Sequence, residues 1–235
     1  MTPYDKLIAR KRKWTPVQMT AGALTAGAEE AVMRALALRQ LELPVGDFIV
    51  NSLKGDIPEN AREILEMNVV DEENHDLALS YAASAIGVDD KAEAEAAALT
   101  KAWINHPDHT VCKAMVLERA VFFTILPFFR AFGDAGLRTI SADVSRDEQI
   151  HVATNSLVCR ELGLTPSPSL DKLRKATVNW VFEPLKGDEK LGKKFWTDSS
   201  DRLMYQGKAP ELSFTQSARM PSFFEHSNVN LPSYA

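Results

Sequence analysis

The stretches DEENHD (residues 71–76) and SRDEQIH (residues 145–151) each place a histidine three positions after a glutamate: Glu72 with His75, and Glu148 with His151. On an α-helix, side chains three apart share a face, so each pair can offer an oxygen and a nitrogen to one metal ion. Taken singly, neither stretch is decisive. An acidic run such as DEENHD is commonly a solvated face, and a lone His151 could be a hydrogen-bonded core histidine. Taken together, each centred in a long helical pattern, they match the way helix bundles hold two metal ions: one glutamate from each of two helices and a Glu-x-x-His from each of the other two.

The flanking pattern supplies the other two helices. Alanine and leucine periodicity dominates the first two thirds of the chain, and alternating strand-like runs are scarce, so the fold class is expected to be all-α; together with the two Glu-x-x-His pairs it is similar to a ferritin-like helical bundle with a di-metal carboxylate site in its core. A first helix is expected over about 24–43, capped by Thr25 and stopped by Pro44 and Gly46. A second starts after Pro58 and ends at Gly87. A short acidic helix covers about 90–105. The third core helix, roughly 109–132, is apolar almost all round, with a kink expected at Pro127. A fourth runs over about 137–162, and two weaker helices over 170–182 and 191–205. Residues 1–205 form the helical domain and 206–235, rich in Pro, Ser and Asn, an extended tail.

Glu118 is the only acidic residue between His109 and Phe132. A carboxylate amid large apolar side chains must be paired, protonated or metal-bound, because an isolated buried charge is too costly. The first helix offers several glutamates. Glu42 precedes Glu72, and Glu118 precedes Glu148, by the same 30 positions, which favours Glu42 with Glu30 as the fallback. Oxygen-rich ligands with two imidazoles suit iron or manganese better than zinc or copper. Phe122, Leu126, Leu79 and Val144 should line an apolar pocket beside the ions. His106, His109 and His226 fall in expected loops or helix ends, where surface roles suffice.

The composition sets limits. At 235 residues, 45% hydrophobic and 25% charged, the chain can form one large core and is not disordered throughout. A net charge of −5 exerts no general pull toward nucleic acid, and the basic run Lys6, Arg10, Lys11, Arg12 and Lys13 reads as a solvated face. Cys112 and Cys159 lack metal-type spacing. The absence of a leader-like or membrane-length apolar stretch leads us to expect a cytoplasmic protein with no membrane partner.

The words around the candidate ligands resemble the small, radical-generating subunit of class I ribonucleotide reductases. SRDEQIH resembles that family's Arg-Asp-Glu-x-x-His signature. LERAVFF (117–123) is similar to its third-helix glutamate motif, with Phe122 four residues past the acid. KWTPVQM (13–19) resembles its Trp-x-Pro opening segment, QLE (40–42) falls where the family has its first acidic ligand, and SFFEHSNVNLPSY (222–234) resembles its Phe-Phe-Glu segment before the tail.

The resemblance implies two metal ions, as an iron pair, a mixed manganese and iron pair or a manganese pair, held by Glu42, Glu72, His75, Glu118, Glu148 and His151. It implies an oxidising equivalent generated with O2 and passed to a large catalytic subunit that reduces ribonucleotides, and a homodimer. Asp147 would link a metal histidine to a radical-transfer tryptophan, Trp14, and Tyr234 would be the relay tyrosine of the tail. The family's radical tyrosine lies four residues past the first ligand histidine. Here that position is Leu79, and Tyr81 is turned away from the ligand face, so the oxidising equivalent is expected to stay on the metals. A bundle oxidase or oxygenase acting on its own small substrate, or a ferritin-type iron-binding protein, are the alternatives.

Overall fold

The computed structural model describes residues 2–186 and 191–208; of the tail expected over 206–235, Gln206 instead ends a helix and residues 209–235, with His226 and Tyr234, lie outside the described residues. Among the described residues ten α-helices follow one another: α1 (Pro3–Ile8), α2 (Glu29–Ala37), α3 (Glu42–Leu53), α4 (Arg62–Ile86), α5 (Asp90–Ile104), α6 (Thr110–Val116), α7 (Phe123–Phe132), α8 (Ala135–Glu161), α9 (Pro168–Phe182) and α10 (Lys193–Gln206). No strand occurs among the described residues. Four units close into a ring: α3 packs on α4, α4 on α8, α8 on α6 and α7, and α6 back on α3. The all-α bundle expected from periodicity is therefore the fold observed.

Local chemistry explains most element ends. Asp134 caps α8 by accepting from the Leu137 amide, and Ser167 does the same for α9 at Leu170. Beyond α8, Gly163 adopts φ +65°, and the Leu164 amide reaches back to the Cys159 carbonyl at 2.8 Å, closing the helix in the left-handed way that glycine permits.

The region from Thr25 to Leu53 departs from expectation. Thr25 caps nothing; the helix begins four residues later at Glu29, with Ala28 at its cap position. Pro44 and Gly46 do not stop a helix but lie inside α3, after a 3-10 turn at Leu38–Leu41. Pro44 occupies the third position of α3, where backbone N–H groups have no intrahelical acceptor, so its missing donor costs nothing. Gly46 faces α4, and a Cβ there would lie 3.6 Å from Glu72 Cβ, an ordinary contact.

The third core helix carries its irregularity earlier than Pro127. Between α6 and α7, Leu117–Phe122 form a wider π-helical turn that contains Glu118. The Ala120 carbonyl inside it accepts from Thr124 Oγ1 at 3.0 Å and from Ser200 Oγ on α10 at 2.6 Å. Pro127 sits within α7 without ending it. Phe128, Phe182 and Trp196, with ring centroids 5.0–5.7 Å apart, fasten α9 and α10 to this side of the bundle.

Candidate metal centre

All six residues expected from the sequence converge inside the ring, and each is at most 2% exposed. Glu42 opens α3, Glu72 and His75 lie mid-way along α4, Glu118 lies in the wide turn, and Glu148 and His151 lie in α8. One ligand atom from each of Glu72, His75, Glu148 and His151 falls within 4.8 Å of all the others. His75 Nδ1 is 3.4 Å from Glu148 Oε1, 3.6 Å from Glu72 Oε2 and 3.8 Å from Glu42 Oε2. His151 Nδ1 is 2.8 Å from Glu72 Oε1, 3.8 Å from Glu118 Oε1 and 3.9 Å from Glu148 Oε2. Glu30 does not take part: it is exposed on α2 and pairs with Arg34 at 2.8 Å.

Each histidine is held from behind by an aspartate of the opposite helix. His75 Nε2 of α4 lies 3.4 Å from Asp147 Oδ2 of α8, and His151 Nε2 of α8 lies 3.1 Å from Asp71 Oδ2 of α4. An aspartate at Nε2 favours the tautomer with its proton there, which turns the Nδ1 lone pair into the cluster. Asp147 has further partners: Trp14 Nε1 donates to Oδ2 at 2.5 Å, and Arg12 Nε lies 3.3 Å from Oδ1. The Trp14 ring stacks near His75 at 6.3 Å between centroids. Lys11 Nζ bonds Asp71.

Asp71, Lys11 and Arg12 are the residues sequence reasoning missed. Lys11 and Arg12 belong to the basic run expected to be solvated, yet both turn inward to aspartates of the bundle, whereas Lys6, Arg10 and Lys13 are exposed. The readable signal was the repeated Asp-Glu-x-x-His of 71–75 and 147–151.

The electrostatics show how poorly this cluster suits a protein without cations. Burial first, then the charge of Glu148, pushes Glu118 well above the usual carboxylate range; burial with Glu148 and Glu42 does the same to Glu72. Glu148 is pushed up to about 7, chiefly by burial. Burial disfavours a charged His75, but its contacts with Asp147, Glu148, Glu42 and Glu72 outweigh that and hold it well above ordinary imidazole. His151 is driven down to about 4 by burial, with the charges of Lys11 and His75 adding. Glu42 Oε2, both oxygens of Glu72 and of Glu148, Glu118 Oε1 and both histidine Nδ1 atoms are buried without a hydrogen-bond donor. Glu118 Oε2 accepts from Asn155 at 2.6 Å. Four carboxylates and two imidazole lone pairs facing one small volume fit a pair of divalent cations.

Beside Glu42 lies a narrow cavity of about 10 Å³, walled by Leu79, Phe122, Leu126, Ile125 and Phe129. Three of the four expected pocket residues line it; Val144 is buried but is not part of its wall. Tyr81 is half-buried on α4.

No protein-family profile and no curated protein matches the sequence. A crystal structure at 1.90 Å of a proposed class I ribonucleotide reductase from Bacillus halodurans superposes on 92% of this chain and 90% of its own, with a TM-score of 0.59 and 13% identity. The two chains share one fold. At that identity the likeness speaks for the all-helical bundle alone; the buried Glu/His cluster in the core of this chain fits a di-metal carboxylate site. Among the described residues, no helix is long and apolar enough to cross a membrane.

Proposed function

We propose that this chain is the small subunit of a class I ribonucleotide reductase, which generates an oxidising equivalent and passes it to a large catalytic subunit. The observation that carries the proposal is the hydrogen-bonded chain from His75 through Asp147 to Trp14. It leads from the centre of the bundle to a half-buried aromatic ring at its edge, and an indole is a side chain that can relay an electron. A protein that only stores iron, or oxidises a substrate in place, has no use for such a route. The shared architecture with the Bacillus halodurans protein supports the same reading.

In this reading Glu42, Glu72, His75, Glu118, Glu148 and His151 hold two metal ions, as Fe/Fe, Mn/Fe or Mn/Mn. The bound pair supplies the redox chemistry with O2. The protein's own part is to fix the histidine tautomers through Asp71 and Asp147, to exclude water, and to present Trp14. Leu79, buried against the cavity where the resembled family has its radical tyrosine, cannot hold a radical, so in this reading the oxidising equivalent would stay on the metal pair. Residues 206–235, with Tyr234, serve as the docking tail toward the catalytic subunit, and the chain works as a homodimer in the cytoplasm.

The cavity beside Glu42 bears on the oxygenase alternative. About 10 Å³ is room for roughly one water-sized molecule, which suits a small oxidant better than an organic substrate. Mixing the metal-loaded protein with a class I catalytic subunit tests the proposal: deoxynucleotide formation that requires both chains supports it, and its absence favours the oxygenase. Electron paramagnetic resonance after oxygen exposure tests the location of the oxidant. A metal-centred signal is expected, and a tyrosyl signal would exclude it.

A further inference from the structure

We infer that Lys11 is a positioning residue: it holds Asp71 against His151, so that residues 11–14 act as one strap seating both metal-facing histidines. The inference rests on reading the cluster as a metal centre, and does not depend on the reductase assignment.

Residues 11–14 form no helix, yet three of the four reach the two supporting aspartates. Lys11 bonds Asp71, Arg12 lies against Asp147 and Asp143, and Trp14 donates to Asp147. The Lys11 and Asp71 side chains are only 5% and 11% exposed. A lysine is seldom withdrawn from water so far unless it is paired, which argues against an incidental surface contact. Lys11 Nζ and His151 Nε2 converge on the same oxygen, Asp71 Oδ2. Lys11 therefore neutralises the aspartate in a dry setting and fixes the oxygen that orients the imidazole. The parallel arrangement at His75 uses Trp14 on Asp147 Oδ2. One short segment thus sets both rings, and metal binding and strap seating must favour each other reciprocally.

The test is a Mn2+ titration without oxygen, counting free Mn2+ by its paramagnetic signal, on the full wild-type chain, Lys11→Met and Lys11→Arg. Wild type is expected to take up two ions. Lys11→Met should weaken one of them by roughly 10- to 100-fold, the usual cost of losing a supporting residue behind a ligand. Lys11→Arg should stay close to wild type. Wild-type affinity at both sites in Lys11→Met, or a loss in Lys11→Arg as large as in Lys11→Met, overturns the inference while leaving the metal centre intact. A wild-type chain that binds no Mn2+ refutes the metal centre, and the strap with it. Should Lys11→Met fail to fold, hydrogen exchange of the wild-type amides of residues 10–15 decides: slower exchange on adding Mn2+ is expected, and unchanged exchange overturns the strap.

Discussion

Trp14 Nε1 lies 2.5 Å from Asp147 Oδ2, joining a half-buried indole of the N-terminal segment to an aspartate that also faces His75. This single contact separates two roles that substitution can resolve. Trp14→Phe removes the donor but neither Asp147 nor its Arg12 partner, so metal affinity should fall by less than in an Asp147 variant while activity with a catalytic subunit falls to near background. Asp147→Asn also loosens His75, and should lower metal affinity by roughly 10- to 100-fold. Metal analysis beside a deoxynucleotide assay checks both, and an active Trp14→Phe would remove Trp14 from the route.

The two glutamates weighed for the first helix should behave oppositely. Glu42→Ala removes a buried carboxylate from the cluster and should reduce the metal bound per chain. Glu30→Ala breaks only the surface pair with Arg34, worth about 0.5 kcal/mol or less, and should leave metal content unchanged. Equal metal loss in both would be inconsistent with the cluster described above.

Metal uptake should compete with protons. Glu148 is pushed up to about 7, and Glu72 and Glu118 lie well above the ordinary carboxylate range. In the cation-free folded state these groups retain protons at neutral pH that a metal must displace. Affinity should therefore rise as pH is raised through about 7 and fall on acidification. Calorimetric titration in two buffers of different ionisation enthalpy reads the released protons directly; uptake without proton release would contradict the geometry.

Leu79 is 4% exposed and walls the cavity beside Glu42. Leu79→Ala should destabilise the protein by about 2–5 kcal/mol, the usual range for deleting a buried leucine, because the surrounding helices collapse only partly onto the void. Chemical denaturation measures this, and a change under about 1 kcal/mol would show that the cavity walls are looser than the packing of Phe122, Leu126 and Phe129 implies.

Much of this was legible in the residues themselves. Glu72 with His75, and Glu148 with His151, are tied to common faces by helical spacing, which backbone hydrogen bonds within one element set locally. Glu118 stood out because a charge amid VFFTILPFF needs a partner. The segment from Thr25 to Leu53 was less legible, since Pro44 signals a helix stop in isolation and is harmless in a first turn.

What the sequence by itself determined is therefore the helical class, the order of the core helices and the facing of each ligand pair. Only the tertiary structure decided that Glu42 and not Glu30 joins the cluster. It also decided that Asp71 serves His151 across the bundle, and that Lys11 turns inward to meet it. The reason is physical. Periodicity fixes which side chains share a face of one helix, whereas contacts between elements depend on how each helix is rotated and packed against its neighbours, a property of the whole core.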